Sequence, residues 1–168
     1  MSNEQTADHH YAHIAKAHGF YNSLRTAMEA RRAGISTSLG FALIEQESTN
    51  GSNVFGHDPT IFVGAGRVTR EKYLNYKRSR KASQNRLMQG VGPCQLTYYS
   101  FQDEADRMGG CWIPKYNIRL GFTHLAGLIK EHGELKGLAI YNGGAANPSY
   151  DYARSVLERK AKWHKRLT

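Results

Sequence analysis

Residues 36–51 read STSLGFALIEQESTNG, and this stretch carries the strongest indication of the fold class. Ser36 or Ser38 can cap the start of a helix, because a helical pattern of apolar residues follows. Those residues are Leu39, Phe41, Leu43 and Ile44. The Ser, Asn and Gly cluster at 48–53 has the composition of a turn. We therefore predict a helix that ends near residue 48 and carries two glutamates in its last turns.

A helical projection separates these two glutamates. At about 100° per residue the apolar side chains define one face, and Glu47 falls near its middle, after Leu43 and Ile44. Glu45 falls on the flank and is expected to point toward solvent. A carboxylate on an apolar face is partly desolvated, which raises its pKa as a general acid at neutral pH requires. Position alone favours the alternative, in which Glu47 merely ends the helix and faces water.

The rest of the chain is also predicted to be mostly helical. One N-terminal helix is expected over residues 8–32, and a short basic helix followed by a polar loop within 67–86. Four further helices are predicted at about 95–108, 117–131, 134–142 and 149–165. The Gly-rich residues 51–66 are expected to form a small irregular β lobe. No linker interrupts the 168 residues, so we predict a single domain of mainly α (α+β) class over 1–168.

The charge of the chain indicates a polyanionic partner. Twenty-three Lys and Arg against fourteen Asp and Glu give a net charge of +9. Nucleic acid, an anionic membrane or an acidic cell-wall polymer would all be attracted to it. The basic segments 67–86 and 154–166 are candidate contact surfaces, although each could equally be a solvated helix face. No apolar run of signal-peptide or transmembrane type is found, so synthesis in the cytosol is expected.

The cysteines and histidines indicate no metal or cofactor. Cys94 and Cys111 are too few for a disulfide framework or a closed zinc site, and both are interpreted as small buried residues. His9 and His13 are spaced i, i+4 on a helix, as metal ligands can be. No cysteine lies near them in the sequence to complete a ligand set, so this cluster is expected to face water.

Four short motifs follow one another along the chain. They are Glu47-Ser48, GVGPCQLT at 90–97, YNIRLGFTHL at 116–125 and AIYNGG at 139–144. In this order they resemble motifs of the soluble lytic transglycosylases and goose-type lysozymes of the lysozyme superfamily. The matching family motifs are a catalytic Glu-Ser pair, Gly-Leu-Met-Gln-Ile, Asn-x-x-x-Gly and Ala-Tyr-Asn-Ala-Gly. The resemblance covers about residues 36–156, which it identifies as the catalytic core.

The resemblance implies a fold, a substrate and a set of site residues. The fold would be the helical lysozyme type, with a cleft between a helical body and a small lobe. Glu47 would protonate the departing oxygen of the β-1,4 bond between N-acetylmuramic acid and N-acetylglucosamine. Ser48, Gln95, Tyr141 and Asn142 match positions assigned to substrate binding. Amide and phenol groups suit that role because they exchange hydrogen bonds with a sugar without adding charge.

The second carboxylate departs from the family pattern. An inverting hydrolase needs a carboxylate base on the opposite face of the sugar. Thr97 occupies one position where goose-type lysozymes carry an acid, whereas Asp58 in the segment NVFGHDP is a candidate base. Asp before Pro is also a common turn residue. Without a base, the acetamido group or a hydroxyl of the substrate would assist and give the anhydro product of a lytic transglycosylase.

Two classes of function follow from the sequence. The favoured one is a monomeric muramidase that acts on peptidoglycan, with Glu47 as acid and Asp58 as base, of the kind found in bacteriophage endolysins. Such an enzyme is made in the host cytoplasm and reaches the wall through a membrane pore formed by another protein. The rival is a basic module that binds nucleic acid or wall polymer without catalysis. Net charge supports both, but only the enzyme has a use for a carboxylate on an apolar face.

Overall fold

The structure, a computed structural model, describes residues 1–56 and 66–168, and most of these residues are helical. The helices are α1 (Asn3–Ala17), α2 (Ser23–Ala33), α3 (Thr37–Ser48), α4 (Arg70–Ala82), α5 (Tyr99–Met108), α6 (Pro114–His132), α7 (Glu134–Gly143) and α8 (Tyr150–Leu167). Isolated antiparallel bridges join Val54 to Arg67, Phe55 to Val91 and Val91 to Leu96. The predicted mainly α class is confirmed. The small β lobe is not confirmed, since the described residues form bridges but no regular strand.

Helix α3 forms the centre of the fold. Every residue from Ser38 to Ile44 is buried, so the apolar surface of this helix is not confined to one face. A helix that is apolar on all sides is buried on all sides, and α2 and α8 pack against it. Phe41 stacks on Trp163 of α8 with ring centroids 5.1 Å apart, and Phe20 meets Phe41 edge-on at 5.0 Å.

The prediction of one N-terminal helix over 8–32 is wrong, because the chain reverses between α1 and α2. Gly19 has φ 80° and Asn22 has φ 56°, both in the left-handed region, which interrupts the helix. The amide of Phe20 donates to the carbonyl of Ala15 at 3.1 Å. This reversal turns Phe20 into the core, where only 5% of it is exposed.

The later helices lie close to their predicted positions, except that α5 begins at Tyr99 rather than near residue 95. Residues 91–97 form a turn in its place. Two backbone hydrogen bonds between Val91 and Leu96, of 3.1 and 3.0 Å, close this turn. Among the described residues, no helix has both the length and the apolar character needed to cross a membrane.

Part of the basic segment 67–86 is structural. The predicted short helix is α4, and its Arg80 is fully buried with Nη2 donating to Asp103 of α5 at 2.6 Å. Lys77 donates to Asp106 of α5 at 2.6 Å. These two cations join α4 to α5, and their charges are balanced within the protein.

Candidate active site

A cavity of about 490 Å³ opens where the end of α3 meets α5, α6, α7 and the turn at 91–97. Its described lining consists of Glu47, residues 94–98, Phe101, His124 and residues 140–145. The structure thus brings together four of the predicted site residues, namely Glu47, Gln95, Tyr141 and Asn142. Within residues 1–56 and 66–168, no group of three or more His, Cys, Asp or Glu side chains is placed to hold a metal ion.

Glu47 is the one carboxylate among the described residues that line this cavity. It lies in the last turn of α3, one turn beyond the fully buried Leu43 and Ile44. Burial disfavours the charged form and raises the pKa of Glu47 to about 7, although a hydrogen bond from Tyr152 acts in the opposite direction. Glu47 therefore exchanges its proton near neutral pH, as a general acid must.

Tyr152 is a site residue that the sequence reasoning missed. It lies in the first turn of α8, and its hydroxyl donates a hydrogen bond to Oε1 of Glu47. Burial, followed by the charge of Glu47, raises the pKa of Tyr152 well above its ordinary value, so the phenol keeps its proton. The available signal was its helical spacing with Val156 and Trp163, which places all three on the face of α8 that packs on α3.

Glu45 does not point to solvent as predicted. Its carboxylate accepts hydrogen bonds from Arg159 at 2.7 Å and from Lys162 at 2.8 Å, both on α8, and its side chain is only 13% exposed. Burial acts to raise the pKa of Glu45, but these two cations outweigh it and lower the pKa. The pKa values of the two glutamates thus shift in opposite directions, because α8 offers two cations to Glu45, whereas burial dominates at Glu47.

Gln46 completes the attachment of α3 to α8. Its Oε1 accepts hydrogen bonds from the Ser155 hydroxyl at 2.7 Å and from Nε of Arg159 at 3.0 Å. Because Gln46 is next to Glu47 in the chain, these contacts fix the last turn of α3 and the direction of the Glu47 side chain.

Gln95 lies in the cavity wall with its amide nitrogen already engaged. It has a left-handed backbone, with φ 49°, and its Nε2 donates to the carbonyls of Val54 and Gly92, each at 2.9 Å. Gln95 therefore ties the turn at 91–97 to the bridge region at Val54. Its donor group serves the fold before any ligand binds.

Tyr141 and Asn142 are placed differently from Gln95. Both are in the last turn of α7, where Tyr141 is half-buried and Asn142 is exposed. Among the described residues, neither side chain forms a hydrogen bond with another group. Burial raises the pKa of Tyr141 well above its ordinary value, so its phenol stays protonated. These two residues have polar groups available to a ligand in the cavity.

Of the two other predicted site residues, one lies outside the described lining of the cavity and one lies outside the described residues. Ser48 is 8% exposed, and its hydroxyl donates to the carbonyl of Ile44 at 3.1 Å within α3. In this placement Ser48 stabilises the end of the helix that carries Glu47. Asp58 falls within residues 57–65, which lie outside the described residues.

Asn117 and Gly121 of α6 explain how the turn at 91–97 is held against the helical body. Asn117 is fully buried; its Oδ1 accepts the amide of Cys94 at 3.0 Å, and its Nδ2 donates to the carbonyl of Val91 at 2.8 Å. A β-carbon at Gly121 would lie 2.6 Å from Sγ of Cys94, so only glycine permits this approach. The Asn-x-x-x-Gly pattern therefore positions one wall of the cavity.

Comparisons with known proteins found no match for this chain. No family model matches the chain, and neither a curated protein nor a solved structure matches it. The resemblance to lytic transglycosylases and goose-type lysozymes therefore stays a prediction that rests on motifs.

The raised pKa of Glu47 predicts a pH-dependent cost in stability. Between pH 4.5, its ordinary pKa, and about 7, the unfolded chain releases this proton before the folded chain does, so the wild type loses stability as pH rises. The Glu47→Gln variant has no such loss. Its advantage in the free energy of unfolding should grow by roughly 3 kcal/mol between pH 4.5 and pH 8, as measured by urea denaturation.

The exposed Glu104 of α5 offers the matched control, because its side chain is 55% exposed and it borders no part of the cavity. Glu104→Gln should follow the wild type at both pH values. An advantage of Glu47→Gln that stays constant with pH would show that the carboxyl of Glu47 titrates normally.

Proposed function

We propose that this protein is a muramidase that cleaves the β-1,4 bond between N-acetylmuramic acid and N-acetylglucosamine in peptidoglycan. The observation that carries the proposal is Glu47, a carboxyl group with a pKa of about 7 in a cavity of about 490 Å³. The phenol of Tyr141 and the amide of Asn142 line the same cavity. This combination of one proton donor and neutral polar groups suits acid-assisted cleavage of a sugar chain.

The proposed first step is proton transfer from Glu47 to the glycosidic oxygen. With a pKa of about 7, about half of the Glu47 side chains carry the proton at neutral pH. As the C–O bond breaks, the leaving sugar keeps the proton and Glu47 becomes a carboxylate. Tyr152 already donates to that carboxyl, so its hydrogen bond stabilises the charge that forms.

The proposed second step is attack of water on the oxocarbenium-like sugar, with Asp58 as the base that activates the water. A second candidate is lytic transglycosylation, in which a hydroxyl of the muramic acid itself closes the ring. Glu47 is the one carboxylate in the described lining, and the candidate base Asp58 lies outside the described residues. Both reactions use Glu47 in the same way, and only the product differs.

Exposed cations suit an enzyme that must reach an anionic cell wall, as a bacteriophage endolysin does. Lys77 and Arg80 of the basic segment 67–86 are paired with carboxylates, whereas Arg70, Lys72 and Lys81 are exposed. We propose that such exposed side chains attract acidic wall polymers over the range of a Debye length, about 8 Å at physiological salt. This attraction would be weakened by added salt.

Replacement of Glu47 by Gln should abolish cleavage. Gln keeps the shape of the side chain and can still accept the hydrogen bond of Tyr152, but it has no proton of suitable acidity to donate. We expect the rate of turbidity loss of a peptidoglycan suspension to fall by about 10²- to 10⁴-fold.

Glu104→Gln is the control for this measurement and should keep wild-type activity, and an unchanged circular dichroism spectrum should show that Glu47→Gln folds. Full activity of Glu47→Gln would disprove the assignment of the acid. A wild-type protein that binds peptidoglycan but cleaves none of it would favour the non-enzymatic binding module.

Replacement of Tyr152 by Phe should move the alkaline limit of activity to higher pH. The hydrogen bond from Tyr152 lowers the pKa of Glu47, so its removal raises this pKa further and keeps the acid protonated at higher pH. The profile of kcat/KM against pH should show a descending limb near pH 7 in the wild type. In the variant this limb should lie at higher pH. A limb that stays in place would mean that Tyr152 does not tune the acid.

The products distinguish hydrolysis from transglycosylation. Mass spectrometry of digested muropeptides should show reducing ends if water attacks, and products lighter by one water if the muramic acid ring closes. Asp58→Asn should greatly reduce the first kind of product, because the carboxylate base is lost, and should leave the second kind unchanged. Reducing products formed at the wild-type rate by Asp58→Asn would remove Asp58 from the mechanism.

A further inference from the structure

One wall of the cavity is a continuous row of aromatic rings. Starting from Tyr141, which lies with Glu47 in the cavity, the centroid of His124 is 5.6 Å away and that of Phe101 is a further 4.5 Å. The ring of Tyr98 follows at 6.1 Å from Phe101. All four side chains line the cavity. The row therefore runs from Tyr141, which shares the cavity with the candidate acid, to the exposed ring of Tyr98.

Tyr98 forms the outer end of this row, and its ring also contacts that of Tyr99 with centroids 4.8 Å apart. Its side chain is 48% exposed, so it contributes little to the core. It occupies the N-cap position of α5 but makes no side-chain capping hydrogen bond. Serine or aspartate would serve better there, since a cap stabilises a helix start by about 1 kcal/mol. Helix capping therefore does not account for a large aromatic residue at this position.

The chemistry of the row suits the carbon-bound face of a sugar. None of the four rings carries a charge at neutral pH, because burial lowers the pKa of His124 and so keeps its imidazole neutral. Aromatic faces pack well against flat apolar surfaces, and tyrosine adds a polar edge that suits a partly hydrated ligand. The carbon–hydrogen faces of pyranose rings and the methyl group of an acetamido substituent present such surfaces.

We propose that Tyr98, Phe101 and His124 form an extended glycan-binding subsite, in which Tyr98 stacks on an N-acetylhexosamine unit away from the bond that is cleaved. This inference rests on the proposed function, because the ligand it names is the glycan strand of that reaction. It adds that the strand runs along the α5–α6 side of the cavity. Affinity for long strands would then depend on Tyr98, whereas bond cleavage would depend on Glu47.

Kinetics on soluble glycan strands tests the subsite. Tyr98→Ala should raise KM by roughly five- to tenfold and leave kcat within about twofold, because a stacked ring contributes binding that does not change in the transition state. Tyr98→Phe keeps the ring and should keep the wild-type KM. Tyr21→Ala is the matched control, since Tyr21 is 62% exposed and lies outside this cavity.

Binding of a β-1,4-linked N-acetylglucosamine hexamer to the Glu47→Gln protein, measured by calorimetry, separates the inference from the proposed reaction. A weaker affinity in Glu47→Gln/Tyr98→Ala supports the subsite even if the wild type cleaves no peptidoglycan. Wild-type KM and unchanged hexamer affinity after Tyr98→Ala would overturn the subsite and leave the proposed function intact. If Glu47→Gln does not bind the hexamer and the wild type does not cleave peptidoglycan, both the subsite and the proposed function are overturned.

Discussion

The burial of α3 on all sides is the constraint on which the candidate site depends. Because its residues 38–44 are enclosed, the helix cannot rotate to bring Glu47 into bulk water. The carboxyl group is left at the edge of the core, where ionisation is costly and a hydrogen-bond donor is needed. Tyr152 supplies that donor from α8, the helix that also covers Phe41. The raised pKa of Glu47 is thus a consequence of how the core is built.

The opposite wall of the cavity depends on a second buried group, Asn117. Its side chain accepts from one backbone group of the turn at 91–97 and donates to another, which fixes the turn to α6. Gln95 then joins the turn to Val54 through its own amide. The side-chain amides of Asn117, which is buried, and Gln95, which is half-buried, therefore hold the irregular turn at 91–97. Backbone groups that lie away from water need such hydrogen-bond partners. The cavity between α3 and this turn is consequently defined from both sides.

Local patterns predicted much of the fold, and distant contacts account for what they missed. The spacing of apolar residues predicted helix α3 and the position of Glu47 near its end, since both depend on neighbours along one helix. The prediction that Glu45 points to solvent was wrong because its partner Arg159 is 114 residues away in the sequence. The break at Gly19 was missed because it is stabilised by the packing of Phe20 in the core. Tyr152 has an ordinary position in a basic helix, and only the packing of α8 on α3 gives it a role.

In the proposed enzyme, the distribution of charge would keep the attraction of a polymer apart from the chemistry at Glu47. A lysine or arginine beside Glu47 would lower its pKa and remove the proton that a general acid needs. Arg159 and Lys162, two cations by which α8 contacts the end of α3, are instead held by Glu45. Exposed cations such as Arg70 and Lys81 lie on α4, a helix that contributes nothing to the described lining of the cavity. In the proposed enzyme, a net charge of +9 would attract a polyanion while Glu47, the one carboxyl in the described lining of the cavity, stays poised near neutral pH.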